Sequence, residues 1–309
     1  MGYIKKWIAG ALCLSVLLSQ GAMGALAAKE ESVITTDAHV ALAREAAAEG
    51  MVLLENGGSL PLPERESVAL FGTGQINFQK GGGGSGDVNT THVYNLLEGM
   101  QEKEAEGKIS LYEPLVTAYS DYIAQGGQGE MTLDSGMVTD AAKACDTAIV
   151  VISCYSQEGV DRNSSKGDYL LSDAETDMLQ KIYDARFRNV VVVLNIGGVM
   201  DTTWFESYGV DAVLLAWQPG MVGALAAADI LCGDVNPSGK LTDTFAKSYE
   251  DYPSSATFGE SARGDYINHT TIYLWGTGTL RPSPAQPKRW FIPLATVCPI
   301  PPFPSPSPR

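Results

Sequence analysis

Residues 148–162 have the sequence AIVVISCYSQEGVDR, in which an apolar run gives way to a polar loop that contains glycine. A continuous run of apolar and β-branched residues is typical of a strand buried on both faces. The loop carries the carboxylate of Glu158 amid other charged residues. Loops at the carboxyl ends of strands in an open α/β sheet collect ligands, and a glutamate there can donate and accept protons. On this segment alone, a solvated loop glutamate is the simpler interpretation.

Apolar strands and helices alternate on both sides of this stretch. The sequence predicts strands at residues 67–71, 109–112, 147–154, 190–194 and 212–216. It predicts helices at residues 37–50, with an apolar face continued to residue 54, and from residue 93. It also predicts helical structure within 114–143 around a glycine-rich break at 126–129, a helix up to residue 188 that Ser172 caps with Glu175 three residues on, and a helix at 223–231. This order indicates an α/β fold, with a doubly wound, mostly parallel sheet and helices on both faces.

Composition narrows the class of protein. The 309 residues are 45% hydrophobic and 18% charged, which is ordinary for a chain that buries a core. The formal net charge of −15 argues against nucleic acid as a partner, because phosphate binding needs clustered lysine and arginine. A neutral ligand such as a sugar is not repelled by this charge.

The first 28 residues have the features of an export signal. Lys5 and Lys6 precede an apolar run at residues 7–19, and the small residues 25–27 offer a cleavage site near Ala27 or Ala28. The run is short for a membrane span, so we expect a secreted or cell-surface protein without stable membrane insertion after cleavage. An uncleaved anchor is the alternative. We expect the α/β domain at 36–250, a linker or the start of a further segment at 251–273, and a separate tail at 274–309.

Neither a metal nor an organic cofactor is predicted. The five cysteines show no CxxC or Cys/His spacing, and buried thiols are expected rather than a disulfide framework. Gly72-Thr-Gly74 is not continued as GxGxxG, and the glycine run at 80–86 lacks the Gly-Lys-Ser/Thr ending of a phosphate loop. A nucleotide-dependent enzyme therefore remains a weak alternative.

Five segments in order carry a more specific resemblance. They are REAAAEGMVLLEN at 44–56 with LPL at 60–62, KGGGGSGDVN at 80–89, QEGVDR at 157–162 with KGD at 166–168 and LS at 171–172, WQPG at 217–220, and CGDVNPSGKL at 232–241. Together they resemble the α/β sandwich domain of glycoside hydrolase family 3, over about residues 40 to 270. The last segment is the most specific.

The resemblance implies a retaining β-glycosidase that hydrolyses terminal β-linked glucose. In such enzymes one carboxylate attacks the anomeric carbon and a second, about 5–5.5 Å away, serves as acid and base. By its place in the motif, Glu158 corresponds to the acid/base.

The resemblance also implies a set of substrate-binding candidates. These are Gly84, Ser85, Gly86, Asp87, Asp161, Arg162, Lys166 and Asp168. For the first four, a purely structural turn is the alternative. For the charged residues, the alternative is a role in fixing the loop through hydrogen bonds and charge pairs. Trp217 could stack on a sugar, although a core aromatic is the better interpretation.

The family's nucleophile has no counterpart in this sequence. It is an aspartate in a (β/α)8 barrel, within a Ser-Asp-Trp-like segment, and neither that segment nor the barrel's Lys-His motif is present. Such a barrel needs about 200 residues or more. We therefore expect the chain to need a barrel domain for activity and to be inactive alone. The signal directly before the sandwich suggests a reversed order of sandwich, fibronectin-like module and barrel. A non-catalytic carbohydrate-binding module is the competing interpretation.

Residues 274–309 differ from the rest of the chain. They contain no Asp or Glu, four of the 21 basic residues and ten of the 16 prolines. Residues 274–280 can be encoded by codons that, read in another frame, give Val-Gly-Tyr-Arg-Tyr-Phe. In the same frame, codons for residues 290–303 can give YPFGYGLSY. Both resemble family segments, so we expect a frameshift that truncates the protein. A genuine proline-rich disordered tail is the alternative, and sequencing the gene near codon 274 distinguishes the two.

Overall fold

The computed structural model describes residues 37–157, 162–253, 255 and 290–292. The chain divides into two units, residues 1–43 and 44–309, and the described part of the first unit, residues 37–43, is helical. The predicted signal, Glu158, Asp161 and most of the predicted tail lie outside the described residues. None of the described helices is long and apolar enough to cross a membrane.

Strands and helices alternate through the second unit. The strands are β1 (Val52–Asn56), β2 (Glu66–Phe71), β3 (Ile109–Leu111), β4 (Thr147–Cys154), β5 (Asn189–Ile196), β6 (Ala212–Leu215), β7 (Phe245–Ala246) and β8 (Trp290–Ile292). The α-helices are α1 (Asp37–Gly50), α2 (Leu96–Ala105), α3 (Glu113–Ala124), α4 (Ser135–Ala144), α5 (Asp173–Ala185), α6 (Trp204–Ser207) and α7 (Gly223–Leu231). Short 3₁₀ turns lie at Thr73–Gln75, Gly84–Gly86 and Tyr249–Asp251.

Six strands form one sheet in the order β1-β6-β5-β4-β2-β3. β1 runs antiparallel to β6, whereas every other pair in the sheet is parallel. The longest pairing is between β4 and β5, from Thr147 opposite Asn189 to Cys154 opposite Ile196. β7 and β8 form a separate antiparallel pair. The predicted mostly parallel sheet is confirmed.

Helices cover both faces of this sheet. Alternate residues of β4 and β5 enter two apolar clusters: Val150 and Val192 pack with α4 and α5, and Val151 and Val193 pack with α2 and α7. Strands buried on both faces need apolar residues at every position, which explains the unbroken runs at 148–152 and 190–194.

The strand order creates a switch point between β2 and β4. The chain passes from β2 to β3 on one side of it, and then returns to β4 on the other side. Helical connections on either side of such a point leave a crevice outside the carboxyl ends of the two strands, where open α/β sheets bind ligands.

The predicted extension of the first helix through residue 54 is wrong. Helix α1 ends at Gly50, and Val52–Asn56 is an edge strand, with a register shift between Leu53 and Glu55. Three successive buried residues suit a strand covered on both faces, and periodicity cannot distinguish so short an apolar run from a helix. Helix α6 and the β7–β8 pair are not predicted from the sequence, and the bounds of several predicted strands and helices differ by a few residues.

Two capping boxes set the starts of helices α2 and α5. Asn95 caps α2 with Glu98, so this helix begins at Leu96 rather than at residue 93. Ser172 caps α5 with Glu175, as the sequence predicts. Helix α5 ends at Ala185, before the predicted residue 188, because Arg186 adopts a left-handed conformation with φ of 62°.

A buried ion cluster connects the helices to the CGDVNPSGKL segment. Lys103 of α2 is 3% exposed and pairs with Asp229 at 2.8 Å and Asp234 at 2.9 Å. Burial lowers the pKa of Lys103, but hydrogen bonds and charge from both aspartates outweigh burial and raise it overall. Arg44 also pairs with Asp229. The CGDVNPSGKL segment, which is the most specific part of the family resemblance, therefore contributes to the packing of α2 through Asp234.

The described thiols are free. Cys145 is buried, and Cys154 and Cys232 are half-buried. Burial raises the pKa of Cys145 to about 11 and that of Cys232 to about 12. The prediction of free thiols is confirmed for these three cysteines.

Candidate functional site

Four strand ends meet beside the switch point. We call this the carboxyl edge, and it consists of residues 72–75 after β2, 155–157 after β4, 197–199 after β5 and 217–220 after β6. Gly72 turns the chain away from the sheet with φ of 92°, and a Cβ there would lie 2.3 Å from the Val151 carbonyl oxygen. Only glycine fits this close approach.

The glycine run after Lys80 packs against the loop that follows β4. Gly83 forms a parallel bridge with Gln157, and its N–H donates to the Ser156 carbonyl at 3.2 Å. A Cβ on Gly82 would lie 2.8 Å from that same carbonyl oxygen. These glycines therefore allow close packing of one loop on another.

The predicted binding residues of this run form its exposed rim. Gly84, Ser85, Gly86 and Asp87 are all exposed, and the first three form a 3₁₀ turn. The carboxylate of Asp87 pairs with the Lys80 ammonium at 3.0 Å. The pair stabilises the turn, and the rim's role in binding substrate stays a prediction.

Asn195 connects β4, the residue before the glycine run and the segment after β6, and the sequence analysis does not identify it as a site residue. It is fully buried near the end of β5. Its Oδ1 accepts from the Gln79 N–H at 2.6 Å and from the Ser153 hydroxyl at 2.8 Å. Its Nδ2 donates to the carbonyls of Gln79 at 3.0 Å and Trp217 at 2.7 Å. The available signal is one polar side chain in the run VVVVLNI.

Trp217 is held in an uncommon backbone conformation. Its φ is 58°, in the left-handed region, and its carbonyl accepts the bond from Asn195. The ring is half-buried and packs against the core, which favours the core-aromatic interpretation. Three residues later, the Gly220 N–H donates to the Lys80 carbonyl at 2.7 Å, so this segment also holds the glycine run.

Arg162 and Asp168 fix the loop after β4. The Arg162 Nε lies 2.6 Å from Asp168 Oδ1, and Nη1 donates to the Val199 carbonyl at 2.6 Å. Nη2 donates to the Asp168 carbonyl at 2.7 Å. Asp168 also accepts from the Asn163 N–H. The structure therefore gives this pair the loop-fixing contacts proposed as the alternative to substrate binding.

Lys166 is not part of that contact. Its ammonium pairs with Asp173 at the start of α5, and both side chains are exposed. Of the charged candidates among the described residues, Arg162 and Asp168 contact each other, whereas Lys166 contacts neither of them through its ammonium.

The residues on both sides of Glu158 are anchored. Gln157 is held by its bridge to Gly83, and Arg162 by its bond to the Val199 carbonyl. Residues 158–161, which include the candidates Glu158 and Asp161, connect these two points and lie outside the described residues. Both attachment points of the segment belong to the carboxyl edge or contact it.

Besides Glu158, the carboxylate of Glu130 is of interest because it contacts the carboxyl edge at Thr73, although no sequence motif indicates it. It is half-buried, and it accepts from the Thr73 N–H at 2.8 Å and from the Tyr119 hydroxyl at 2.9 Å. Burial raises the pKa of Glu130, against the opposing effect of these hydrogen bonds. Its position links α3 to the turn after β2.

Comparison with known proteins identifies the family. Residues 51–279 match the family model described as "Glycosyl hydrolase family 3 C-terminal domain". The chain belongs to glycosyl hydrolase family 3. This family 3 domain has the α/β fold that the sequence resemblance implies, and the resemblance itself is confirmed.

Its relatives are named β-glucosidases. The chain is 42% identical over 277 residues to β-glucosidase A of Butyrivibrio fibrisolvens, covering 79% of this chain and 33% of that protein. It is 39% identical over 230 residues to a β-glucosidase of Ruminococcus albus, covering 70% of this chain and 24% of that protein. β-Glucosidase 3B of Thermotoga neapolitana, solved in complex with α-D-glucose, matches with 39% identity and a TM-score of 0.68, covering 72% of this chain and 33% of that one. The family 3 chain thus spans about a third or less of the length of these relatives.

Proposed function

We propose that this chain supplies Glu158 as the acid/base of an exported retaining β-glucosidase. The observation that carries the proposal is the anchoring of Gln157 and Arg162 at the carboxyl edge, in a family 3 chain whose relatives are named β-glucosidases. Gln157 and Arg162 flank Glu158 in the sequence, and contacts at the carboxyl edge hold both of them.

In this mechanism Glu158 first acts as an acid. Its proton passes to the oxygen that links glucose to the leaving group, while a nucleophilic carboxylate attacks the anomeric carbon and forms a glycosyl-enzyme. Glu158 then acts as a base, because it takes a proton from the water that hydrolyses this intermediate. The nucleophile belongs to a (β/α)8 barrel domain that this sequence does not contain.

The other candidate residues serve the same step in different ways. The Arg162–Asp168 pair holds the far end of the Glu158 segment, so its part in binding is to position that segment. The rim at residues 84–87 faces solvent and is the part of the glycine run that can contact a sugar. A neutral β-glucoside is compatible with the net charge of −15.

Export is part of the same proposal and has its own test. Mass spectrometry of the protein recovered from outside the producing cell should show a chain that starts close to Ala28. A protein that retains residues 1–27 would contradict signal cleavage.

An activity assay of the purified chain tests whether it needs a nucleophile from another domain. Acid catalysis by itself contributes about 10²–10⁴-fold, well below the acceleration of at least about 10⁶-fold that enzymes reach. We therefore expect neither the purified chain nor its Glu158→Gln variant to give measurable hydrolysis of p-nitrophenyl β-D-glucoside. Turnover by the chain that disappears in Glu158→Gln would show that a nucleophile is present and would contradict the proposal.

A further inference from the structure

Tyr155 presents a large aromatic surface at the carboxyl edge. It is 50% exposed, one of the large hydrophobic side chains that stay open to solvent among the described residues. Its hydroxyl lies against Gly83, where an added Cβ would come within 2.2 Å of the Tyr155 Oη. Because Gly83 has no side chain, the Tyr155 hydroxyl can contact the glycine run. The rest of the Tyr155 ring stays exposed to solvent.

Gln157 lies on the same side of this extended segment, because residues two apart in an extended chain face the same way. Its Oε1 is 3.5 Å from the Tyr155 hydroxyl, and its side chain is also exposed. The bridge between Gln157 and Gly83 fixes the backbone beneath both side chains. A small uncharged ligand is held by apolar contact area together with a few placed polar groups, and the Tyr155 ring and the Gln157 amide offer one of each.

We propose that Tyr155 and Gln157 form a shelf that binds the leaving group of a β-glucoside, either an aryl ring or a second glucose ring. The inference rests on the proposed function. An acid/base must lie next to the oxygen that joins glucose to the leaving group, so the leaving group lies beside the acid. Tyr155 and Gln157 precede Glu158 by three residues and one residue. The flat face of an aryl or pyranose ring matches the Tyr155 ring, and Gln157 can bond a ring substituent.

The shelf belongs wholly to this chain, so the purified chain should bind leaving groups without a barrel. Saturation-transfer NMR with p-nitrophenyl β-D-glucoside should give the strongest transfer to the aryl protons and weaker transfer to the glucose protons. Methyl β-D-glucoside, which has no flat leaving group, should bind more weakly. Equal transfer to the whole ligand, or no binding of the aryl glucoside, would overturn the proposal without any variant.

Three variants locate the interaction. Tyr155→Ala should weaken binding of p-nitrophenyl β-D-glucoside by about three- to tenfold, the range expected for loss of one aromatic contact. Tyr155→Phe should bind like the original chain, because it keeps the ring. Tyr183→Ala is the matched control: Tyr183 is 45% exposed on α5 and lies near Gly209, which precedes β6 at the opposite end of the sheet. Equal effects of Tyr155→Ala and Tyr183→Ala would overturn the proposal.

The binding and turnover experiments distinguish an error in the proposed shelf from an error in the proposed function. If the chain does not bind the aryl glucoside, the shelf is wrong, while the role of Glu158 is decided separately by turnover in the presence of a barrel. If the shelf binds but Glu158 proves dispensable for turnover, the proposed function is wrong and the chain is a binding module for aryl or glucosyl rings.

Discussion

A single buried amide connects loops at the carboxyl edge of the sheet. Asn195 uses both hydrogen-bonding atoms of its side chain, and two of its four bonds go to the N–H and C=O of Gln79. It pairs with that backbone as a neighbouring strand would. The same side chain bonds the carbonyl of Trp217, whose left-handed conformation is unfavourable by itself.

Replacement of Asn195 by leucine should therefore be costly. Asn195→Leu keeps a similar volume but leaves the Gln79 backbone, the Ser153 hydroxyl and the Trp217 carbonyl without these bonds. We expect the free energy of unfolding to fall by about 3 kcal/mol or more, since each buried polar group left unsatisfied costs about 1–3 kcal/mol. Urea denaturation measures this loss.

Asn189 provides the control within the same strand. It lies at the start of β5, is half-buried, and has weaker bonds with Thr147 at 3.2 Å and Ser59 at 3.4 Å. Asn189→Leu should cost only about 1 kcal/mol. Equal losses for the two variants would show that Asn195 has no special place in the edge.

Residue patterns predict some of these contacts and miss others for a physical reason. A charged pair within a loop, such as Arg162 with Asp168, can be inferred because both partners are close in sequence. The bonds of Asn195 reach residues 116 and 22 positions away in the chain, and the strand order brings those residues together. A polar residue in an apolar strand indicates that such a partner exists, but not which one.

At the scale of elements, burial on both sides makes the central strands predictable. β4 and β5 are apolar at successive positions because helices cover both faces, so their bounds follow closely from sequence. β1 is mistaken for helix because its apolar residues continue directly from α1, and only its pairing with β6 distinguishes the two conformations. Capping residues, by contrast, act locally, which is why the start of α5 is predicted to the residue.

Glu130 joins two elements that the sequence does not connect. It binds Tyr119 on α3 and Thr73 in the turn after β2. Because burial raises the pKa of Glu130 above its ordinary value of 4.5, the folded protein binds this proton more tightly than the unfolded chain does. The stabilisation from protonation is fully present below the unfolded pKa, and it is lost as the pH rises through the folded pKa.

The Glu130→Gln variant should remove this pH dependence. We expect the free energy of unfolding of the original chain, relative to Glu130→Gln, to fall as the pH rises above about 4.5 and through the raised pKa of Glu130 in the folded protein. Urea denaturation at several pH values measures the difference. Glu113→Gln, at an exposed glutamate in the first turn of α3, is the matched control for replacing a carboxylate with an amide. A relative stability that rises with pH would contradict the assignment.

At the scale of the whole molecule, the chain corresponds to one part of a longer enzyme. It spans 33% of the Butyrivibrio fibrisolvens relative and 33% of the Thermotoga neapolitana structure. A retaining glycosidase needs two carboxylates on opposite sides of one bond, and the sequence offers a motif for only one. The fold follows from this chain's own residues, whereas under the proposed function a second domain would supply the nucleophile.

Grafting tests the central claim that Glu158 is the acid/base. Residues 44–253 would replace the matching segment of β-glucosidase A from Butyrivibrio fibrisolvens, and kcat/KM for p-nitrophenyl β-D-glucoside would be measured. We expect an active chimera in which Glu158→Ala lowers the rate by about 10²–10⁴-fold. Azide should partly restore turnover, because this anion attacks the glycosyl-enzyme without help from a base. Glu113→Ala should leave the rate unchanged. A chimera whose activity persists in Glu158→Ala would contradict the account.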